Sequence, residues 1–299
     1  MLDLEISIVN NNNCKILEEC LLSIFENTKG IEFIVSVVDN ASTDGSVKML
    51  KEKFPQVNLI ENKIKKGFSA NHNQVLKKSQ AKYILLLNDD TKVLGDSFFK
   101  MVKFMDTHPE VGIAGCKVLN LDGTLQYSAR KFPSKSIKML LAGFFHNTFL
   151  GKLFPENPFT KEYLLIDWDH SEAKEVDWVS GCCMMIRKEV LDKIGYLDER
   201  FVMFVEDVDI CYRVWKSGYK VYYFPDAKII HYGGVSTSRE PLKMIIEHHK
   251  SMYKFYKKHY LVRGRLKWII IAGLFLRCSI SITQNILGII QLKWKKKKV

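Results

Sequence analysis

The chain has 299 residues, 47% hydrophobic and 12% aromatic, which is ample for the core of one large domain and excludes a disordered chain. Its formal charge is +12, yet 13 Lys and Arg and no Asp or Glu lie in 248–299, leaving 32 basic against 33 acidic residues over 1–247. A fold that grips nucleic acid carries charge on its body, so nucleic acid is not an expected partner, and the basic tail with its apolar neighbours points to a membrane surface.

Residues 4–10 alternate as a strand. The opening MLDLEISIVN has no basic segment before a long apolar run, so it reads as this strand and not as an export signal. Helical spacing covers 14–28, and FIVSVVD (33–39) is a β-branched strand followed by a helix over 43–53. VNLIEN (57–62) is a short strand, 67–79 a helix opened by Gly67, YILLLN (83–88) a strand and 96–107 a helix. Strands alternating with helices predict an α/β fold around a mostly parallel sheet with helices on both faces. Ligands of such sheets bind beyond the carboxyl ends of the strands. Asp39, Asn62 and Asn88–Asp90 sit at those ends.

Past 110 the pattern changes. VGIAGCKVLN and LDGTLQYS predict paired strands about an Asp-Gly turn. Residues 130–175 hold three of the seven prolines and predict a long surface excursion with little regular order. A strand pair entering a helix is expected over 176–195, an amphipathic helix over 204–218, and two strands broken at Pro225 over 220–234. A basic helix over about 240–260 leads to the apolar, lysine-ended tail. The seven cysteines (Cys14, Cys20, Cys116, Cys182, Cys183, Cys211 and Cys278) include no CxxC pair and read as free buried thiols of a reducing compartment.

Several residues could carry chemistry. Adjacent carboxylates at Asp89 and Asp90 repel unless a cation neutralises them, which suits Mg²⁺ or Mn²⁺ on a substrate phosphate; the alternative is a solvated turn with Asp90 capping the next helix. Glu206 and Asp209 share a helix face, and Asp209 has an i,i+4 partner in Arg213. Asp207, at the start of the same helix, could act as a general base, or with Glu206 simply favour the positive helix end. His231 ends an apolar strand before two glycines, a position for a structural imidazole or for a metal ligand with a carboxylate partner. Asp39-Asn40 could accept from a nucleoside or simply form a turn, and Lys65-Lys66-Gly67-Phe68 offers cations and a helix N-terminus to a phosphate.

Seven segments in order carry a resemblance: SIVNNN (7–12), VVDNASTDGS (37–46), ENKIKKGFSANHN (61–73), LLLNDDT (85–91), VDWVSGCCMMIRKEV (176–190), GYLDERFVMFVEDVDICYR (195–213) and GYKVYYFPDAKIIHYGG (218–234). Together they resemble glycosyltransferase family 2, inverting enzymes of GT-A fold, and within it a bacterial rhamnosyltransferase-like branch of surface-polysaccharide assembly. The resemblance covers about 4–235. It implies that Asn10, Asn12 and Asp39 meet the nucleoside of a UDP- or dTDP-linked sugar, and that Gly67, Phe68, Asn73, Asn88 and Asp89 line the donor site. It makes Asp90 and His231 ligands of Mg²⁺ or Mn²⁺, Asp207 the catalytic base, and Trp178, Gly181 and Glu206 the acceptor side. Asn88 stands where the family's D-x-D motif has its first acid, and Asn11 where an aromatic often stacks on the base.

These readings predict a glycosyltransferase domain over 1–239, with a nucleotide-sugar half (1–118) and an acceptor half (119–239) bearing the 130–175 excursion. A helical, membrane-associating extension follows over 240–299. Its longest uninterrupted apolar run, Trp268 to Leu276, is about nine residues where a span needs roughly 20, so 262–299 is expected to lie in the interface, peripheral on the cytoplasmic face. The acceptor would then be a lipid-linked saccharide or growing polysaccharide. The alternative is a non-catalytic sugar-nucleotide-binding or membrane-interaction protein of the same fold. The oligomeric state is left open.

Overall fold

The computed structural model describes residues 2–296 except 135, 147, 149, 150, 152, 155, 156, 235–238 and 261–263. Parts of the 130–175 stretch and both ends of the 262–299 tail therefore lie outside the described residues. The first half alternates as its periodicities require. Strand β1 (Leu4–Asn10), helix α1 (Cys14–Asn27), β2 (Phe33–Asp39), α2 (Ser46–Lys53), β3 (Asn58–Glu61), α3 (Phe68–Leu76) and β4 (Tyr83–Asn88) follow one another. In α1 the buried apolar residues Leu17, Leu21 and Ile24 recur at helical spacing. β1 and β4 are apolar nearly throughout because both faces of the sheet are covered. Ile84 and Leu86 enter one core layer while Leu85 and Leu87 enter the other.

A short strand, β5 (Thr91–Leu94), stands between Asp90 and α4 (Ser97–Thr107). Asp90 thus caps no helix, and the capping alternative falls. β6 (Val111–Leu119) turns back through β7 (Leu125–Gln126), the expected hairpin. The 130–175 stretch is more ordered than its prolines suggest. After β8 (Ala129–Arg130) it carries α5 (Ile137–Phe145), α6 (Pro158–Leu164) and, at its end, β9 (Lys174–Glu175). The side chains of Ser136 and Asn157 cap these two helices, so local polar residues start helices that apolar spacing alone did not reveal.

The expected strand pair at 176–195 does not form. β10 (Trp178–Val179) pairs with β8 in a separate ribbon, while β11 (Cys183–Arg187) enters the main sheet antiparallel between β4 and β6, before α7 (Lys188–Ile194). The Ser180-Gly181-Cys182 turn carries the chain from one sheet to the other. After α8 (Glu206–Lys216), the two strands expected around Pro225 are one, β12 (Lys220–His231). Its register on β6 shifts between Phe224 and Lys228, a bulge that absorbs the proline's missing N–H.

The main sheet runs β3-β2-β1-β4-β11-β6-β12-β5. β1, β2, β3 and β4 are mutually parallel, and the order reverses at β1, whose two neighbours are β2 and β4. A crevice opens beyond strand ends at such a reversal. Register makes the ends level: Asn10 faces Asp39, and Val9 faces Asn88.

Helix α9 (Pro241–Tyr260) packs on the body, with Phe255 fully buried against Tyr212. Its anchor is Asp209, which is wholly buried and meets Arg213 at 2.9 Å, Lys258 at 2.7 Å and His259 at 2.7 Å. The expected Asp209–Arg213 pair is one arm of this cluster. Helix α10 (Gly264–Lys296) follows. Its segment Lys267–Leu287 has mean hydropathy 1.5 and is, by length and composition, sufficient to cross a membrane. Arg277 interrupts the composition but sits on one side of the helix. Trp268, Ile269, Phe275, Leu276, Ile286 and Leu287 are exposed on the other.

Burial raises the Asp209 carboxyl, but His259, Arg213 and Lys258 together outweigh it and hold the group below its ordinary range. A depressed folded-state value contributes stability that is present above the unfolded value, near 4, and lost as pH falls below it. Asp209→Asn should therefore lower unfolding free energy by about 3 kcal/mol at pH 7, because it leaves buried cations unpaired. Urea unfolding at pH 7 and pH 3 checks this; an undiminished difference at pH 3 would contradict the ion-pair account.

Candidate active site

Two acidic sites flank the strand ends. At the first, β4 delivers Asn88, Asp89 and Asp90, while β12 returns antiparallel to β5 with His231 opposite Thr91. Asp90 Oδ1 lies 3.2 Å from His231 Nε2, and Asn88 Nδ2 lies 3.1 Å from the same nitrogen. The Nδ1 atom of His231 is 2.7 Å from Gln126 Oε1, whose own Nε2 donates to Asn120 Oδ1 at 3.0 Å. This chain fixes the amide of Gln126, so Nδ1 of His231 is the donor and Nε2 is the ring nitrogen turned to Asp90 and Asn88. A ring nitrogen and a carboxylate oxygen at 3.2 Å need a proton or a cation between them. The donor set, one carboxylate oxygen and one imidazole nitrogen, fits Mn²⁺ and tolerates Mg²⁺. Among the described residues no group of three or more His, Cys, Asp or Glu side chains could hold an ion unaided. Further ligands would come from a substrate.

Asp89 turns the other way. It accepts from Asn13 Nδ2 at 2.9 Å, and burial, with Asp90 beside it, pushes its carboxyl up to about 7 despite Asn13, the Asn11 N–H and Arg239. Arg239 donates to the carbonyls of Asn11 (2.7 Å) and Asn12 (2.6 Å) and to Asn13 Oδ1 (2.6 Å), tying the segment before α9 to the first-strand loop. In that loop Asn10 Nδ2 donates to Asp39 Oδ1 at 2.8 Å, and Asp39 Oδ2 accepts from Ser42 N at 2.9 Å. Asn12, with φ 56°, accepts from Thr43 N at 2.7 Å. Asp39 thus shapes the turn, and its remaining lone pairs are what a nucleoside could meet. The turn alternative for Asp39-Asn40 is the one these bonds show.

Gly67 is where the chain has no room for a side chain: a Cβ there would stand 2.7 Å from the carbonyl oxygen of Val202. Asn73 is spent on structure, bonding Leu197 through both its amide atoms and Glu199 through Nδ2. It braces the loop before α8 and does not share the strand-end cluster.

The second site is where α8 begins. The chain enters it through left-handed Phe204 (φ 64°) and Val205 (φ 69°), a costly backbone for a β-branched residue that the surrounding packing must hold. The turn aims Glu206 and Asp207 inward. Asp207 Oδ2 accepts from Gly181 N at 3.2 Å and Oδ1 from its neighbour Val208 N at 2.8 Å. Burial raises both carboxyls. Asp207 alone has two N–H donors and the Arg130 guanidinium near it, whereas Glu206 Oε2 is buried without a partner. The pair therefore holds its charge on Asp207 and its proton on Glu206. A Cβ on Gly181 would lie 3.6 Å from Asp207 Cβ and 3.7 Å from the Phe68 ring, so the glycine sits between these two side chains. Trp178, buried, donates Nε1–H to Lys131 O at 2.8 Å.

Asp207, Glu206 and Trp178 line a cavity of about 1620 Å³ between the body, α5, α9 and α10. The sequence singled out Asp90, His231 and Asp207, and the fold brings the first two together and keeps the third apart. It gave no sign of Gln126 or Arg239, whose contacts span 105 and more than 220 residues. Asn13 was signalled only as the fourth of a run of asparagines. Cys183 packs in the core beside Cys116, as the reading of free buried thiols expects.

The model of the family "Glycosyl transferase family 2" matches residues 6–195. An N-acetylglucosaminyl-diphospho-decaprenol L-rhamnosyltransferase of Mycobacterium tuberculosis is 28% identical over 265 residues, 84% of each chain. The rhamnosyltransferase WbbL of Escherichia coli is 25% identical over 207 residues, 67% of this chain and 73% of that one. Among solved structures, the mannosyltransferase PcManGT of Pyrobaculum calidifontis, in complex with GDP-Man and Mn²⁺, superposes with TM-score 0.58 at 16% identity, covering 94% of this chain and 73% of that one. The likeness to that structure is one of fold, and the fold is GT-A.

Proposed function

The chain belongs to glycosyl transferase family 2, and we propose that it inverts the anomeric centre as it moves a sugar from a UDP- or dTDP-linked donor to a hydroxyl of a lipid-linked saccharide. Rhamnose is the sugar for which two relatives are named. One observation carries the reading: a carboxylate, Asp207, lines a large cavity, while a separate carboxylate–imidazole pair, Asp90 and His231, stands at the strand ends.

In this reading the nucleoside lies against the loop of Asn10, Asn12 and Asp39, with Phe68 and Asn88 beside the sugar. Asp90 and His231 would hold Mg²⁺ or Mn²⁺, which would supply positive charge to the departing diphosphate. Asp89, which burial pushes up to about 7, carries a proton part of the time near neutrality and then offers a hydrogen bond where a second bare carboxylate would repel phosphate. Asp207 accepts the proton of the acceptor hydroxyl as the oxygen attacks the anomeric carbon from the face opposite the diphosphate. The C–O bond to the sugar forms as the bond to the diphosphate breaks, and the configuration inverts. Gly181 N–H and Val208 N–H orient the base, and neutral Glu206 beside it adds no competing charge. The exposed apolar stripe of α10 and the tail lysines hold the enzyme on the cytoplasmic face of the membrane, where a lipid-linked acceptor is presented.

Asp207→Asn should lower kcat by about 10³-fold with donor affinity unchanged. In the wild type kcat should fall as pH drops through a value above the ordinary carboxylate range, since only the ionised base accepts the proton. Near-wild-type turnover of the variant would remove Asp207 from the role. Thermal unfolding tests the metal pair: UDP or dTDP with Mn²⁺ should raise the midpoint, and chelator or Asp90→Ala should abolish the rise. A rise that survives both would mean that the nucleotide is held without metal. Removing 264–299 should move the protein from the membrane fraction to the soluble fraction; unchanged fractionation would assign attachment elsewhere.

A further inference from the structure

The cavity beside Asp207 is larger than one sugar needs, since ligand pockets commonly run to about 1,000 Å³. Its far wall is α10, which turns Gly273, Leu274, Arg277 and Ile280 into the space. Arg277 is out of place there by ordinary rules. Its Nε is buried with no partner, and Nη2 reaches only the carbonyl of His146 at a long 3.5 Å. Among the described residues no carboxylate forms an ion pair with it. A guanidinium remains charged in such a setting and is costly to leave unmatched.

Arg130 lines the same cavity from β8. Its guanidinium stacks over Trp178 at 5.1 Å and Tyr163 at 5.9 Å, and it too makes no carboxylate ion pair among the described residues. The two guanidiniums flank one space. Burial first, then Arg130 and Arg277 together, hold His146 neutral, down at about 3, and both charges also act on His248. The acids Glu206 and Asp207 line the same cavity, and Arg130 stands close enough to Asp207 to act on its charge, so this guanidinium lies between Asp207 and Arg277's part of the wall. The rest of the wall is mainly apolar, including Met139, Ile245, Met252 and Ile270.

We infer that Arg277 and Arg130 form an anion subsite that takes the diphosphate of a lipid-linked acceptor, whose hydrocarbon chain leaves along α10 toward the membrane. Two planar forks match the many oxygens of a diphosphate better than a single charge would. The apolar wall suits the chain that follows. Arg277 then has a reason to interrupt an apolar helix: it reads the acceptor's head group from the element that meets the lipid. This assignment rests on the glycosyltransferase reading, because it places the acceptor hydroxyl at Asp207.

The test is calorimetric binding of farnesyl diphosphate, farnesol and inorganic diphosphate to the full-length protein in detergent, with chelator present so that the donor site is silent. Farnesyl diphosphate should bind more tightly than either of the others. Arg277→Gln should weaken it about thirtyfold or more and leave farnesol unchanged, with Arg277→Lys intermediate. Equal affinity of Arg277→Gln and wild type for farnesyl diphosphate would overturn the subsite. Inorganic diphosphate binding as well as the farnesyl ester would overturn the lipid part. Should Arg277→Gln not fold, Leu274→Trp carries the test: it should weaken the farnesyl ester and spare inorganic diphosphate, and unchanged binding of the ester would count against the path. Nucleotide with Mn²⁺, measured on the same samples by thermal shift, separates the two readings. Nucleotide binding without farnesyl diphosphate binding sinks this inference alone, and the reverse sinks the donor reading alone.

Discussion

A carboxylate taken out of water keeps its charge only where hydrogen-bond donors or cations replace the solvent. Among the acids that this fold withdraws, Asp89, Asp90, Glu206, Asp207 and Asp209 are each treated differently. Asp209 is met by three cationic or imidazole partners and has nothing left to offer, so it is structural. Asp207 has two N–H donors and a guanidinium nearby, enough to hold charge and too little to spend it. Glu206 is met by no donor at its buried oxygen and keeps its proton. Asp89 is half matched and is pushed up to about 7, and Asp90 faces the Nε2 edge of the His231 ring. The degree of matching ranks the acids from scaffold to chemistry.

What places those acids is strand register. The level ends of β1, β2 and β4 gather Asn10, Asp39 and Asn88. The antiparallel insertion of β11 beside β4 then brings the carbonyl of Cys182 to 3.0 Å from Asn88 N, so the Gly181 turn stands next to the acidic strand end. β12, returning against β5, supplies His231 from the other side. Two acidic surfaces therefore share one rim, with Gly181 at the turn between them, where a Cβ would meet Asp207 and Phe68 at ordinary contact distance.

Much of this was legible where the physics is local. Near-continuous apolar strands, helical spacing and acids at strand ends revealed β1 to β4 and their helices to within a few residues, and Asp209–Arg213 followed from i,i+4 spacing. The misses are non-local. Pro225 looks like a break, but pairing with β6 on one side and β5 on the other carries β12 through it. Residues 176–187 look like a hairpin, but each strand has a better partner elsewhere. Gln126 is an ordinary strand glutamine until β12 lays His231 against it. Arg239 sits in a segment with no pattern and acts on a loop more than 220 residues away.

Two interior arginines show how matching separates scaffold from site. Arg187 is buried, and its guanidinium reaches the carbonyls of Val111, Met105 and His108 and the hydroxyl of Tyr83. Every edge of that fork is used, and the residue locks β11 to the end of α4. Arg277 has the same chemistry on a helix of the opposite character and meets one distant carbonyl. An isolated helix gains nothing from such a charge, and a lipid-facing one loses by it. The cost is tolerable only if something else completes the guanidinium, and the space it faces leads to Asp207. The long apolar helix and the cavity that Asp207 lines are thus joined through one unmatched charge, and under the proposed function that charge would tie membrane attachment to acceptor choice in a single element.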